Sequence, residues 1–464
     1  MSLSVNNQRE IFVYLAAICL PICACCFMFW GPDIGSELLL LVGIVGTVAL
    51  LIIAVAAPEA FIVVMLATKP FIDLTWNHPF FSFGGFSASA LHVVGFCVLV
   101  VAGYLYFIRN DGRTIFNERV IWLFLLINLS TGFVAVFFDG RPIFAFLEII
   151  VKLFDSYLIY FIGHRFLQDD KAKLRIIGLI WISTLMVGVL SLIQYRTGTF
   201  EIDYSQGVQR FAGFYSDPGT PSYNAIISLV FGALYIEILR KRQQLIPSIV
   251  HAAFALTVLV SAYMLKITVT KSALLMLIVF LIMWYGSYKR MAYLVIPLII
   301  IGGVYIYSTS EAIQSRLAPE VEFLAEGEHS MEQARSMGTG RVAYWEAVLV
   351  QYIEDYDLFQ KLIGNSRTFG AHNQYLAYLM QVGLVGLAVF LIMLLRFYRQ
   401  LILLFREFRQ PEIYMALVLL TLFAVYGLTG HPFEYTTLLW YLMILLSFIN
   451  VYAFGPTLET TSEF

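Results

Sequence analysis

Long apolar runs separated by short polar connectors repeat along almost the whole chain. Runs of bilayer length lie near residues 10–30, 35–57, 58–75, 86–108, 119–138, 142–163, 174–195, 221–239, 246–265, 269–287, 291–308, 373–395, 412–429 and 435–453. They predict about 14 transmembrane helices and an all-α polytopic membrane protein. The third run is interrupted by Lys69-Pro70 and Asp73, so it predicts a helix broken or kinked at Pro70, or a re-entrant segment.

The connectors carry the orientation signal. Arg109, Arg113 and Arg119, the stretch Arg165 to Arg175, Arg240-Lys241-Arg242, Lys289-Arg290 and Arg396 to Arg409 all fall on one face of the predicted topology. Basic residues concentrate on the cytoplasmic side, which places both termini inside and residues 75–85, 196–220, 266–270, 309–371 and 430–434 outside. Within 309–371, ten acidic residues outnumber five basic ones, and this loop is the one place for a sizeable water-facing element. The chain therefore divides into N-terminal transmembrane helices at 1–195, a membrane domain at 196–453 that includes the loop 309–371, and a cytoplasmic tail at 454–464.

Composition agrees with this division. Hydrophobic residues make up 60% of the 464 positions and charged residues 13%, outside the soluble globular range. A formal net charge of -2, with basic residues scattered over connectors, argues against nucleic acid as a partner. Cys19, Cys23, Cys25, Cys26 and Cys97 sit in apolar runs and read as packing residues, so neither metal nor disulfide is expected. Ile22-Cys23-Ala24-Cys25 faintly resembles a lipoprotein cleavage site, but the single basic residue before it, Arg9, and the spans after it predict a retained first helix.

Candidate chemistry collects on the predicted outer face. Arg210 to Gly219 is rich in turn residues; Arg210 offers a fork of donors for phosphate or carboxylate, and Asp217 pairs with it or caps the next helix. Lys271, between two apolar runs, either snorkels to the headgroups or meets an anionic group held between helices. Thr339-Gly340-Arg341 precedes Val342, Trp345, Val348, Leu349 and Tyr352, a spacing that predicts an amphipathic helix capped by Thr339, with an anion site at its N-terminus beside Arg341. His372 opens the run at 373–395 and is a candidate general base, a ligand of an anionic leaving group, or a hydrogen-bonded helix-entry histidine. His431 could close the same site from the last outer loop. Inside the bilayer, Glu148, Lys152 and Asp155 share a helical face and pair with one another or bind a substrate head group, through Lys152 above all.

Four of these segments together resemble the bacterial O-antigen ligase and repeat-unit polymerase superfamily, the WaaL-type and Wzy-type enzymes of surface polysaccharide assembly. Arg210 to Asp217 is similar to the family's Arg, Gly and Asp-Pro loop, and Lys271 to Leu275 to its Arg-x-x-x-Leu element with lysine in place of arginine. Gly340-Arg341 to Trp345 resembles the start of the family's outer-loop helix; His372-Asn373, nine residues and Gly383-x-x-Gly386 is its most specific element. Two departures stand out: Gly219 follows Asp217-Pro218 where asparagine is usual, and Lys271 gives only a point-like charge. Residues 1–195 carry none of these motifs.

The resemblance implies a GT-C-like fold in the bacterial inner membrane and a metal-independent, cofactor-free glycosyl transfer from an undecaprenyl-diphosphate-linked glycan at the periplasmic face. Arg210, Arg341 and Lys271 would hold the diphosphate and His372 would act as base or orient the acceptor, with Asp217, Lys152 and His431 in the substrate-binding surround. Repeat-unit polymerisation is the favoured reaction, with a chain-length co-polymerase as possible partner. Ligation to lipid A core, protein O-oligosaccharyl transfer and, in a different class, lipid-linked sugar transport are the alternatives; transport predicts an internal repeat with broken helices in both halves.

Overall fold

A computed structural model describes residues 52–74, 79–83, 86–109, 112–137, 140, 143–198, 201–203, 210–213, 215, 217–286, 308, 311–325, 331–365, 372–433 and 435–454. The expected spans at 10–30 and 291–308, most of that at 35–57, the cytoplasmic tail and the turn before Ala371 lie outside these residues.

The described chain is built from helices: α1 (Pro58–Asp73), α2 (Ala90–Gly103), α3 (Glu118–Phe137), α4 (Ile143–Gly163), α5 (Asp170–Thr197), α6 (Gly219–Lys241), α7 (Ser248–Thr268), α8 (Lys271–Gly286), α9 (Glu311–Ala325), α10 (Met331–Glu354), α11 (Leu358–Ile363), α12 (Gln374–Phe408), α13 (Pro411–Gly427), α14 (Thr436–Leu446) and α15 (Phe448–Phe454). Two small antiparallel hairpins, β1 (Pro79–Phe83) with β2 (Phe86–Ser89) and β3 (Glu201–Asp203) with β4 (Arg210–Gly213), complete the architecture. Among the described residues, six helices, α14 and α15 counted as one, are long and apolar enough to cross a bilayer, and three shorter apolar helices accompany them. The protein is an all-α polytopic membrane protein.

Helix α6 is the hub, buried nearly along its length and packed between α5, α7, α8 and α13. Helix α7 is peripheral and turns Leu256, Val258 and Leu259 outward, as a helix facing hydrocarbon does. Asp169 caps α5 by accepting from the Ala172 amide, and Asn373 caps α12 by accepting from Tyr375 and Leu376.

Two departures from the expected helices matter for the site. Helix α1 continues past Pro70 to Asp73. Proline removes the N–H that would bind the Leu66 carbonyl one turn earlier, and Tyr441 Oη donates to that carbonyl instead, at 3.2 Å. The expected break is thereby repaired from another helix.

Conversely, the run expected as one span at 373–395 is broken. Helix α12 extends over 35 residues, but Gly383 within it adopts φ 66°. The segment after α11 enters this break: the Asn365 amide donates to the Met380 carbonyl at 3.2 Å. A Cβ on Gly364 would stand 2.1 Å from the Gln381 carbonyl oxygen, and one on Gly383 would stand 2.4 Å from the Leu362 carbonyl carbon. Only glycine allows the two backbones to touch there. The helix expected to start at Thr339 begins at Met331, and the chain passes Gly340 at φ 80°. Helical geometry is thus interrupted directly before Arg341, where the amphipathic segment begins. The predicted stripe forms in part: Val348 and Tyr352 pack with Tyr356, Leu376 and Met380, while Leu349 is exposed.

Candidate functional site

The basic connectors meet at one end of the bundle. Lys173 Nζ, on the first turn of α5, lies 2.9 Å from Asp170 and 3.4 Å from Glu412. Arg242 reaches Asp170 at 3.2 Å, and Lys241 donates to the Arg409 carbonyl at 3.1 Å. This end ties α5, α6 and α13 together with charge pairs.

The opposite end gathers the candidate residues. Arg341 Nη1 donates to the Thr429 carbonyl at 2.8 Å, which sets its guanidinium against the connector between α13 and α14. His431 lies on that connector, and its ring centroid is 6.3 Å from that of His372. Asn373 Nδ2 donates to the Leu428 carbonyl at 3.2 Å, so the residue that caps α12 also ties His372 to the same connector. His372 itself adopts φ 45°, a left-handed conformation that a β-carbon disfavours and that surrounding contacts must hold.

Asp217 and Arg210 join this group through α6 and α8. Asp217 Oδ1 accepts from the amides of Gly219 at 2.6 Å and Thr220 at 3.3 Å, so it caps α6, one of its two predicted roles. Its Oδ2 accepts from Tyr435 Oη at 3.1 Å and from Thr220 Oγ1 at 2.8 Å. Arg210 Nε donates to the Thr268 carbonyl at 3.1 Å, and Nη2 lies 3.5 Å from Thr270 Oγ1, which donates to the Pro218 carbonyl. Half-buried Lys271 begins α8 between Thr270 and Ser272. Ser272 Oγ is 2.6 Å from Tyr223 Oη, and Tyr223 lies in the fields of both Asp217 and Arg341.

Electrostatics select the protonation state of His372. Burial, then the Arg341 guanidinium, then His431 push its imidazole below the ordinary histidine range, while Asp217 pulls the other way. The imidazole is therefore neutral at neutral pH and able to accept a proton. Near it, Arg341 and Arg210 donate to backbone carbonyls, which orient their guanidinium groups. Such an arrangement can bind an anion and take a proton from a neighbouring hydroxyl.

Lys152 stands elsewhere. It lies nine residues into α4, about 14 Å from the Ile143 end. Asp155, one turn further along, lies in the field of Lys69 from α1 and beside Ser156, and the Glu148 side chain is outside the described ones. Lys69 was an unrecognised member of the polar set. Its Nζ, 1% exposed, pairs with Asp73 and donates to Thr437 Oγ1 at 2.9 Å. Charges four apart in an apolar run, Lys69 and Asp73, were the signal in the sequence. Tyr223 and Tyr435 had none, because tyrosines at helix ends are common in any membrane protein.

Compared with known proteins, the chain matches no family model and no curated protein.

Proposed function

We propose that the protein is a periplasmic-face glycosyltransferase that joins undecaprenyl-diphosphate-linked oligosaccharide repeat units into a surface polysaccharide. The observation that carries this reading is the gathering of His372, Arg341, His431 and Asp217 at one bundle end, with Arg210 linked to them through Thr270 and Pro218. Three of the four segments that resemble one superfamily by sequence supply His372, Arg341, Asp217 and Arg210, and a common location is what a shared site requires. On this reading the complete chain has about 14 helices in a GT-C-like arrangement in the inner membrane, with both termini cytoplasmic.

The chemistry follows from the residue types. The acceptor hydroxyl oxygen attacks the anomeric carbon; the bond from that carbon to the diphosphate oxygen breaks, and its electron pair leaves with the diphosphate. The hydroxyl proton passes to the neutral His372 imidazole. Arg341, Arg210 and Lys271 stabilise the negative charge that grows on the leaving group, and a site at the ends of apolar helices lets the polyprenyl tail remain in lipid.

A transporter of lipid-linked sugars is the second reading, and the broken helix α12 is the observation in its favour. Against it, the break is filled by the protein's own Leu362 to Asn365, which leaves the freed backbone groups matched internally. The deciding experiment is turnover of purified lipid-linked repeat units by the reconstituted protein. His372→Ala is expected to lower polymer formation by at least about a hundredfold at unchanged membrane abundance. Polymer formation by the alanine variant near the wild-type rate would refute the assignment of His372.

A further inference from the structure

A second polar centre lies just beneath the outer site. Lys69 and Asp73 form an ion pair on the last turn of α1, 2.5 Å apart, and both side chains meet Thr437 Oγ1, which accepts from Lys69 and donates to Asp73 Oδ2. Lys69 Nζ also stands 5.2 Å from the centre of the Trp440 ring, one turn further along α14. Burying a charge pair at this depth costs several kcal/mol before its mutual attraction is counted, and well-packed apolar side chains would stabilise the helices as well. The pair calls for a reason beyond stability.

Its neighbours provide one. Thr437 is two residues from Tyr435, whose hydroxyl donates to Asp217. Asp73 acts on Tyr215, two residues before Asp217, and Tyr215 Oη accepts from Asn224 Nδ2 at 3.0 Å. Both flanks of the Asp217 loop are thus reached from the same ion pair, one through α14 and one through the loop itself. Asp217 in turn acts on His372.

We propose that the buried Lys69–Asp73–Thr437 triad is a positioning device for the outer site, seating Tyr435 on Asp217 and so setting the charge that His372 meets. Lys69, Asp73 and Thr437 are positioning residues; none touches His372. The groups that face His372 are Arg341 from α10, His431 from the last connector and Asp217 before α6. Of these, Asp217 accepts from Tyr435, two residues before Thr437 of the triad. While Tyr435 donates to it, the carboxylate shares its charge with the phenol. Once Tyr435 is unseated, Asp217 pulls harder on the imidazole and His372 holds its proton to higher pH.

The relevance of the triad to glycosyl transfer rests on the function proposed above, but its test needs no sugar donor. Diethyl pyrocarbonate acylates neutral imidazole, and the His372 peptide of the full-length protein in lipid nanodiscs reports the rate by mass spectrometry. At about pH 6, Lys69→Met/Asp73→Asn, which removes both charges together, is expected to slow His372 acylation about threefold. Tyr435→Phe should slow it equally, and the two combined should go no further, because both act through one hydrogen bond. Thr437→Val, which keeps both charges and removes the bridging hydroxyl, should give the same threefold loss if the paired substitution fails to fold. Acylation at the wild-type rate in Thr437→Val, or additive losses in the combined variant, would overturn the proposal. A triad effect on acylation with no polymer formed by the wild-type protein would instead dismiss glycosyl transfer and leave the positioning role intact.

Discussion

The two ends of the bundle use charge in opposite ways. At the basic end, cation meets carboxylate: Lys173 sits between Asp170 and Glu412, and Arg242 reaches the same Asp170. At the other end the described guanidinium contacts are with neutral oxygens, from Arg341 to the Thr429 carbonyl and from Arg210 to the Thr268 carbonyl and Thr270 hydroxyl. A carboxylate cancels a cation's charge, whereas a carbonyl only aims it. The first arrangement ties helices together; the second orients guanidinium groups at the candidate site.

That contrast depends on the ends facing opposite sides of the membrane, which is the sharpest place to break it. In a background without the native cysteines, Glu354→Cys is expected to react with an impermeant thiol reagent added outside intact cells, and Gln244→Cys to remain silent. Both positions are exposed, so access to water is not the limit. Labelling at position 244 alone would invert the protein and remove its periplasmic site.

The role of Lys271 gives the next largest effect. If its ammonium meets a diphosphate, Lys271→Arg should keep most of the transfer activity and Lys271→Met should lose about a hundredfold, since methionine retains the stem without the cation. A lysine that merely snorkels would tolerate methionine, and turnover within about threefold of wild type would exclude it from the site.

The charge-paired end should respond in stability and leave the chemistry alone. Glu412 and Lys173 are both largely buried, so Glu412→Ala leaves the ammonium with Asp170 alone and is expected to cost about 2 kcal/mol in thermal or denaturant unfolding. Turnover per folded molecule should stay near wild type. A large loss of turnover with unaltered stability would erase the distinction between the two ends.

The smallest effect concerns pH. His372 is held below the ordinary histidine range chiefly by burial and next by Arg341, so the protonated, inactive imidazole should dominate only below about pH 6.5. The acidic limb of the transfer rate marks this titration. Arg341→Gln removes one depressing charge and should move that limb to higher pH, alongside the loss in rate from the missing cation. A limb that stays in place would show that Arg341 does not face His372 in the working enzyme.

Much of the fold was legible from apolar runs alone. The runs at 119–138, 174–195, 221–239 and 246–265 fall on α3, α5, α6 and α7, because a bilayer-length apolar stretch has few alternatives to a helix. The His372 to Gly383 spacing was legible as a pattern, but its meaning was not. Gly383 is glycine because Leu362 and Gly364 arrive against it, and nothing local to residues 373–395 announces that arrival. Arg210, Asp217, Arg341 and His372 were each readable from their loops, while the tyrosines that join them were not.

What the sequence determined by itself was the kind of protein: its apolar runs demand a membrane, its one-sided basic connectors demand a topology, and its outer loops hold the chemically capable residues. Tertiary structure decided which exceptions the helices could carry. Tyr441 answers the carbonyl that Pro70 strands, and Lys69 finds Thr437 at a separation of 368 residues. In a lipid-filled surround no water is at hand to satisfy a stranded polar group, so its partner must come from another helix, and which helix that is depends on packing across the whole chain.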